Sequence, residues 1–210
     1  MTMRAMNAFE SSTAPTPDAP PLILGSSSRY RRELLQRLNL TFSTATPEVD
    51  ETPQPNEAPA ALAQRLALAK AQAVAQGHPE AIVIGSDQVA DLNGQPLGKP
   101  GNHERAVAQL QAMRGQVVIF HTALAVIHAE RDLILQDMAD VRVQFRDLSD
   151  AEIERYLRAE QPYDCAGAAK SEGLGIALLA SIDNDDPSAL IGLPLIRTCA
   201  LLRQAGWAIP

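Results

Sequence analysis

Asn93-Gly94 stands between two strand-like runs, "AIVIGSDQVADL" and "QPLGKPG". The dipeptide favours a two-residue turn with positive φ at both central positions, and such a turn sends the chain back antiparallel to itself. A sheet built only of parallel strands is therefore excluded. Elsewhere, strand-like and helix-like segments alternate, with no internal repeat and no second low-complexity linker. "PLILG" reads as a short apolar strand, and residues 29–38 as a helix with Tyr30, Leu34 and Leu38 on one face. "FSTATPEVDETPQP" is extended and broken by prolines, and residues 57–76 form a long Ala-rich helix closed by Gly77 and Pro79. Residues 103–113 form another helix. "QVVIFHTALAVIHAE" and "LILQDMADVRVQFR" are long strands, the second alternating at Val141, Val143 and Phe145. Ser149 and Glu152 make a capping box for a helix over 150–159. "IALLASI" reads as a strand and "LPLIRTCALLRQAG" as the final helix. The expected class is α/β, with a mixed twisted sheet flanked by helices.

Residues 1–20 are rich in Ser, Thr, Pro and Ala and read as a disordered tail, in which Met3 and Met6 offer alternative starts. Residues 21–210 are then a single domain. No apolar run approaches the roughly 20 residues that span a bilayer, and the start lacks the apolar segment of a signal peptide. A cytoplasmic protein without a membrane partner is expected. The net charge of −7 argues against a nucleic-acid partner, because such proteins carry a basic excess. Cys165 and Cys199 share no metal-type spacing and are expected to be free thiols.

The serine turn carries the first chemical signal. In "LILGSSSRYRRELL" the first helical turn holds Arg29, Arg31 and Arg32. A helix N-terminus already carries roughly half a positive charge and unpaired N–H groups, so acidic residues are favoured there. Cations stacked on the positive end call for an external anion: hydroxyls and N–H groups would cradle it, and arginines would donate to it in pairs. A capped surface helix with solvated arginines has the same pattern.

Other charged residues fit the same anion. Only three of the 18 Lys and Arg residues are lysines: Lys70, Lys99 and Lys170. Lys70 follows Leu66 by one turn on the apolar stripe of its helix, so it must snorkel or meet an anion. Asp87 ends an apolar strand run, where α/β proteins commonly build sites. An ideal Asn93-Gly94 turn pairs Leu92 with Gln95 and Gln88 with Lys99, bringing Lys99 near Asp87 if Gly98 bulges. In "PEVDET", Glu48 and Asp50 share one face of an extended segment, and such oxygen donors suit Mg2+ or Mn2+; a solvated acidic loop reads the same way. His121 sits within a strand without a G-x-S-x-G elbow, so a Ser–His–Asp hydrolase is rejected. "KSEGLG" at 170–175 is a polar loop with glycines, fit for close approach to a ligand or simply a turn.

Taken in order, "SSSRYRRELL", "PEVDET", "RLALAKA", "GSDQV", "GKP", "FRDLSDAEIERYL", "YDCAGAAKSEGLGI" and "IGLPL" resemble the Maf family of nucleoside triphosphate pyrophosphatases, from Leu22 to Gly206. The resemblance implies a two-lobed Maf/ITPase-like fold with a cleft between lobes, often as a homodimer. It implies metal-assisted hydrolysis of a nucleotide between its α and β phosphates. By position it makes Asp87 the proton acceptor. Lys70 and Lys99 become catalytic phosphate contacts, joined by Ser26, Arg31 and Arg32, with Ser28 also binding substrate and Glu48 and Asp87 attending a divalent metal. Arg29 replaces the proline usual in the family. Where the thymidine/uridine-triphosphate branch typically has Arg, Thr and Gln, this chain has Tyr30, Gln88 and Glu172, which look like the 7-methyl-GTP branch. N7-methylguanine is cationic, so an aromatic face gains about 1–2 kcal/mol when desolvated. A carboxylate can also accept from its N1–H and 2-amino group. The alternatives are a dTTP/UTP pyrophosphatase, or a nucleotide-responsive protein of septum formation, the process from which the family takes its name.

Overall fold

The computed structural model describes residues 19–209, so the tail expected over 1–20 lies almost wholly outside the described residues. Among these, seven strands form one sheet in the order β2-β1-β3-β5-β6-β7, with β4 paired to β3. They are β1 (Leu22–Gly25), β2 (Ser43–Ala45), β3 (Ile82–Leu92), β4 (Gln95–Leu97), β5 (Val117–His128), β6 (Leu133–Phe145) and β7 (Leu179–Asp183). Five helices flank them: α1 (Arg29–Gln36), α2 (Pro59–Ala75), α3 (His103–Met113), α4 (Asp150–Glu160) and α5 (Leu195–Gln204). The sheet is mixed. β1 runs parallel to β2 and β3, whereas β3, β5, β6 and β7 follow one another antiparallel.

The strand run of β1 is apolar throughout because both of its faces are covered. Leu22 and Leu24 join Leu34, Leu35, Leu201 and Leu202 under α1 and α5, while Ile23 joins Ala71 and Val74 under α2. A separate apolar cluster gathers Phe120, Val141, Val143 and Phe145 with Leu110, Met113, Ile153 and Leu157 of α3 and α4. The long strands β3, β5 and β6 thus serve two lobes. Residues of both meet around the end of β1 and the middle of β3, and there the candidate site lies.

Local signals place most boundaries. Pro59 opens α2 at a position where its missing N–H costs nothing. Ser149 and Glu152 form the reciprocal capping box at the start of α4. Two expectations shift. Leu92 does face Gln95, but the β3–β4 ladder ends at Ala90–Leu97, so Gln88 and Lys99 do not pair. Pro96 has no N–H and Pro100 follows closely, so β4 stays short. The strand expected from Ile176 begins at Leu179, after a 3-10 turn over Leu174–Leu178. Arg146 holds that turn, its N–H donating to Leu178 O at 3.0 Å and its Nη1 to Ala177 O at 2.9 Å.

Gly85 permits the packing that matters most for the site. A Cβ there would lie 2.4 Å from Ala67 O and 2.6 Å from Ala71 N, so α2 rests directly on the β3 backbone. Gly85→Ala must push the helix off the sheet. It should lower stability by about 1–3 kcal/mol, read from the urea midpoint; an unchanged midpoint would show that α2 yields freely.

Candidate active site

The turn after β1 is held by its own serines. Ser28 N–H donates to Ser26 Oγ at 3.1 Å, and Ser28 Oγ caps α1 by accepting from Arg31 N–H at 3.4 Å. No acid stands in the first turn of α1, so the charge of its N-terminus is unanswered within the helix. The three arginines diverge. Arg31 turns inward, its Nε donating to Gly192 O at 2.8 Å. Although Arg31 keeps some accessible surface, dense packing around its guanidinium lowers its pKa, against the opposing pull of Asp87 and Glu51. Arg29 is exposed but also lines the cavity, where it lies over the Tyr30 ring, 4.7 Å from its centre, with Nη2 donating to the Tyr30 hydroxyl at 2.6 Å. Arg32 is exposed and does not line the cavity.

Lys70 is buried, 6% exposed, and does not snorkel. Its Nζ donates to Asp87 Oδ1 at 2.6 Å and lies 2.6 Å from Glu51 Oε1. Asp87 is itself only 7% exposed and stands behind Lys70, off the cavity lining. An ammonium taken this far out of water needs such partners, because desolvation alone would disfavour its charge. Burial acts to raise the pKa of Glu51, but the Lys70 hydrogen bond, with the charges of Lys70, Lys99 and Arg31, brings it below the ordinary value. Lys99 reaches the cavity wall from beyond β4 without any strand pairing.

The cavity itself encloses about 360 Å3, inside the roughly 300–1,000 Å3 usual for small-molecule sites. One end is cationic, lined by Ser26, Ser27, Ser28, Arg31, Lys70 and Lys99. Glu51 stands at that end beside Lys70, and Arg29, Tyr30, Gln88, Asp164, Cys165 and Glu172 are among the residues that line the remainder. Gln88 is fixed by three acceptors: its Nε2 lies 2.9 Å from Thr122 Oγ1, 2.9 Å from Ala189 O and 3.1 Å from Leu190 O. Two of these are carbonyls, which can only accept, so the amide's NH2 must face them and Oε1 is left for a ligand. Glu172 stays exposed at the rim, yet partial enclosure of its carboxyl raises its pKa, against Lys170 and with the added repulsion of Glu160 and Asp164. Burial likewise pushes the Cys165 thiol up to about 11, so it stays protonated.

Of the residues singled out by sequence, Ser26, Ser28, Tyr30, Arg31, Lys70, Gln88, Lys99 and Glu172 share this cavity, and Asp87 adjoins it through Lys70. Glu48 is exposed and outside the lining; Glu51 is the acid of the "PEVDET" segment that arrives. The sequence pointed to Glu48 with Asp50 because they share a face, and an odd offset puts Glu51 on the other. Only the position of Lys70 distinguishes the two faces. Gly192, whose carbonyl receives both Arg31 and Ser86, also escaped residue-level reading, since its role is a backbone one.

Mixed α/β topology with a cation-lined cavity between lobes defines the class. Residues 21–205 match the family described as Maf-like protein, and the chain belongs to that family. Among similar proteins, a 7-methyl-GTP pyrophosphatase of Polaromonas sp. (strain JS666 / ATCC BAA-500) is 68% identical over 202 residues, covering 96% of this chain and 92% of the relative. Proteins of the same name from Albidiferax ferrireducens and Cupriavidus pinatubonensis are 66% and 57% identical, covering 88% and 90% of this chain and 93% and 94% of theirs.

Removing the ammonium while keeping its stem should expose the cost of the buried carboxylate. Lys70→Met is expected to lose roughly 3–5 kcal/mol of stability. Adding Asp87→Asn should recover part of that loss, because the stranded charge is gone. Denaturant titration of both single variants and the double variant measures the coupling; strictly additive losses would mean that the pair is not energetically linked.

Proposed function

We propose that this cavity binds 7-methyl-GTP and hydrolyses it between the α and β phosphates, giving the monophosphate and pyrophosphate. The observation that carries the reading is one cavity whose cationic end is continuous with an aromatic and acidic end, in a chain whose close relatives bear that activity's name. The triphosphate would lie against the Ser26–Ser28 turn, Arg31, Lys70 and Lys99, where fixed donors meet the charge that builds on the leaving pyrophosphate. Arg32, outside the lining, would act through the long-range field.

The base would occupy the other end. The Tyr30 ring offers a face to a cationic purine. Gln88 Oε1 and the Glu172 carboxylate are acceptors, matched to the N1–H and 2-amino donors of guanine and not to thymine or uracil. Tyr30 already carries Arg29 on its ring, so the base would either displace that guanidinium or use the opposite face.

In the hydrolytic step, water oxygen attacks the α phosphorus and the bond to the bridging oxygen breaks, releasing pyrophosphate. Asp87 takes one water proton; the other remains on the new phosphate oxygen and passes to solvent. Lys70 must turn from its carboxylates to the phosphates for this, and that movement frees Asp87 Oδ1 as an acceptor. A divalent cation fits the donors present. Mg2+ or Mn2+ needs only one or two carboxylates when phosphates supply further oxygens. Glu51 and Asp87, the two acids on Lys70, are the residues that would hold it, with Glu48 outside the lining. Bound there, it would neutralise phosphate charge.

The reading includes a homodimer, supported by the family resemblance, and a cytoplasmic setting, supported by two free cysteines. No helix among the described residues is long and apolar enough to cross a membrane.

Pyrophosphate release with Mg2+ or Mn2+ tests the reaction. Wild type should turn over 7-methyl-GTP well above UTP and dTTP, and Asp87→Asn should reduce turnover by ~100-fold or more. The preference should narrow on acidification, because Glu172 has a raised pKa and protonation removes its acceptor charge. Faster hydrolysis of UTP or dTTP overturns the base assignment. Binding without turnover would favour a regulatory nucleotide sensor.

A further inference from the structure

Glu160 is the last residue of α4, and the chain leaves it through Gln161 in the left-handed region at φ 49°. Its carboxylate does not face open water. Oε1 accepts from Lys170 Nζ at 2.6 Å, and Oε2 accepts from the Leu174 backbone N–H at 2.9 Å. Those two donors bracket the turn that carries Glu172. The turn is closed by Gly173 N–H donating to Lys170 O at 3.1 Å. Its base is anchored to the same helix, because Tyr156 Oη accepts from Lys170 N–H at 3.0 Å and donates to Ala168 O at 3.0 Å.

The fit around the carboxylate is close. A Cβ on Gly173 would lie 2.8 Å from Glu160 Oε2 and 3.0 Å from Oε1. A Cβ on Gly175 would lie 2.5 Å from Lys170 O, so the two limbs of the turn also touch through backbone. Glu160 and Lys170 side chains keep only 15% and 23% of their surface, so solvent screens this pair less than an ordinary surface ion pair. The Lys170 hydrogen bond and the Leu174 N–H hold the Glu160 carboxyl below its usual pKa, which keeps it an acceptor at neutral pH. Glu160 itself is not part of the cavity lining.

We infer that Glu160 is a positioning residue for base recognition: by gripping both limbs of the 170–174 turn, it holds Glu172 at the cavity rim where the carboxylate can meet the nucleobase. The inference rests on the reading of Glu172 as a base contact. It predicts that loosening this clamp affects discrimination between bases and leaves the phosphate end alone, since Arg31, Lys70 and Lys99 are set by other elements.

Two variants open the clamp differently. Glu160→Ala deletes the carboxylate. Gly173→Ala leaves every charge in place and pushes the flexible carboxylate off its donors, at a glycine with no positive φ to strain. Glu172→Ala is the reference. The measurement is kcat/KM for 7-methyl-GTP and for UTP, with inhibition by inorganic pyrophosphate reporting the phosphate end.

All three variants should lose the 7-methyl-GTP over UTP ratio by roughly tenfold, the size of one charge-assisted hydrogen bond, and the two clamp variants should keep UTP rates within about twofold of wild type. Pyrophosphate inhibition should be unchanged. If Glu172→Ala loses the ratio and the two clamp variants keep it, the clamp is overturned while the base reading stands. If the clamp variants slow both substrates in proportion, Glu160 is a structural staple and the inference is overturned. If Glu172→Ala keeps the ratio, the base reading falls and the inference falls with it. Gly173→Ala decides the matter should Glu160→Ala fail to fold.

Discussion

One ammonium group organises this molecule. Lys70 is taken out of water on the inner face of α2, where Asp87 of β3 and Glu51 of the preceding segment both reach it at 2.6 Å. The contact ties together three stretches that are distant in sequence. It requires α2 to lie directly on β3, which a side chain at residue 85 would prevent, and it draws the extended segment after β2 across the mouth of the cleft. Lys70 and Asp87 form a buried pair and Glu51 reaches it from the exposed side; a buried pair of this kind is a weak source of stability, since desolvation offsets most of the attraction. In the proposed reading its value is that it holds charge in place at the cavity, to be exchanged for the charge of a ligand.

Such an exchange would account for the uneven distribution of cations at the cleft. Arg31 is held by a carbonyl, Gly192 O, and not by a carboxylate, and the N-terminus of α1 has no acid in its first turn. Lys99 stands exposed at the wall. Lys70 is answered by two carboxylates, while Arg31 and Lys99 at the same end of the cavity have no carboxylate within hydrogen-bond distance among the described residues, so that end keeps positive charge open to an anion. The opposite end is a different environment, built by the loops after α4 and around Gln88, where an aromatic ring, a fixed amide and two acids face inward. Tyr30 belongs to this end and not to the apolar core beneath α1, where Leu34 and Leu35 do the packing. Arg29, in the place of the family's usual proline, lies over the Tyr30 ring, so in the proposed reading it would take part in how a base is received.

Much of this was legible in the sequence because the decisive signals were local. The Asn93-Gly94 turn, the serine cap of α1, the Ser149–Glu152 box and the bounds of α3 all follow from a few adjacent residues. The inward direction of Lys70 was legible from helical period, although its partners were not. What failed depended on distance. Glu51 and Glu48 are equivalent until α2 is packed, and Lys99 reaches the cavity by a path that no strand register describes. The turn before β7 was hidden because its apolar residues imitate a strand, while Arg146, far away in sequence, decides otherwise. Glu160 gives no sequence signal at all beyond closing a helix.

In the proposed complex a triphosphate takes Lys70 from its carboxylates while the base sits against Tyr30 and Glu172. A crystal structure with an α,β-imido analogue of 7-methyl-GTP tests it most directly. Lys70 Nζ should then lie within hydrogen-bond distance of a phosphate oxygen, with Arg31 and the serine turn on the same chain of phosphates and the purine at the Tyr30 end. An analogue bound the other way round, with its base at Lys70, or bound with the Lys70 contacts to Asp87 and Glu51 both intact and no phosphate upon it, would contradict it.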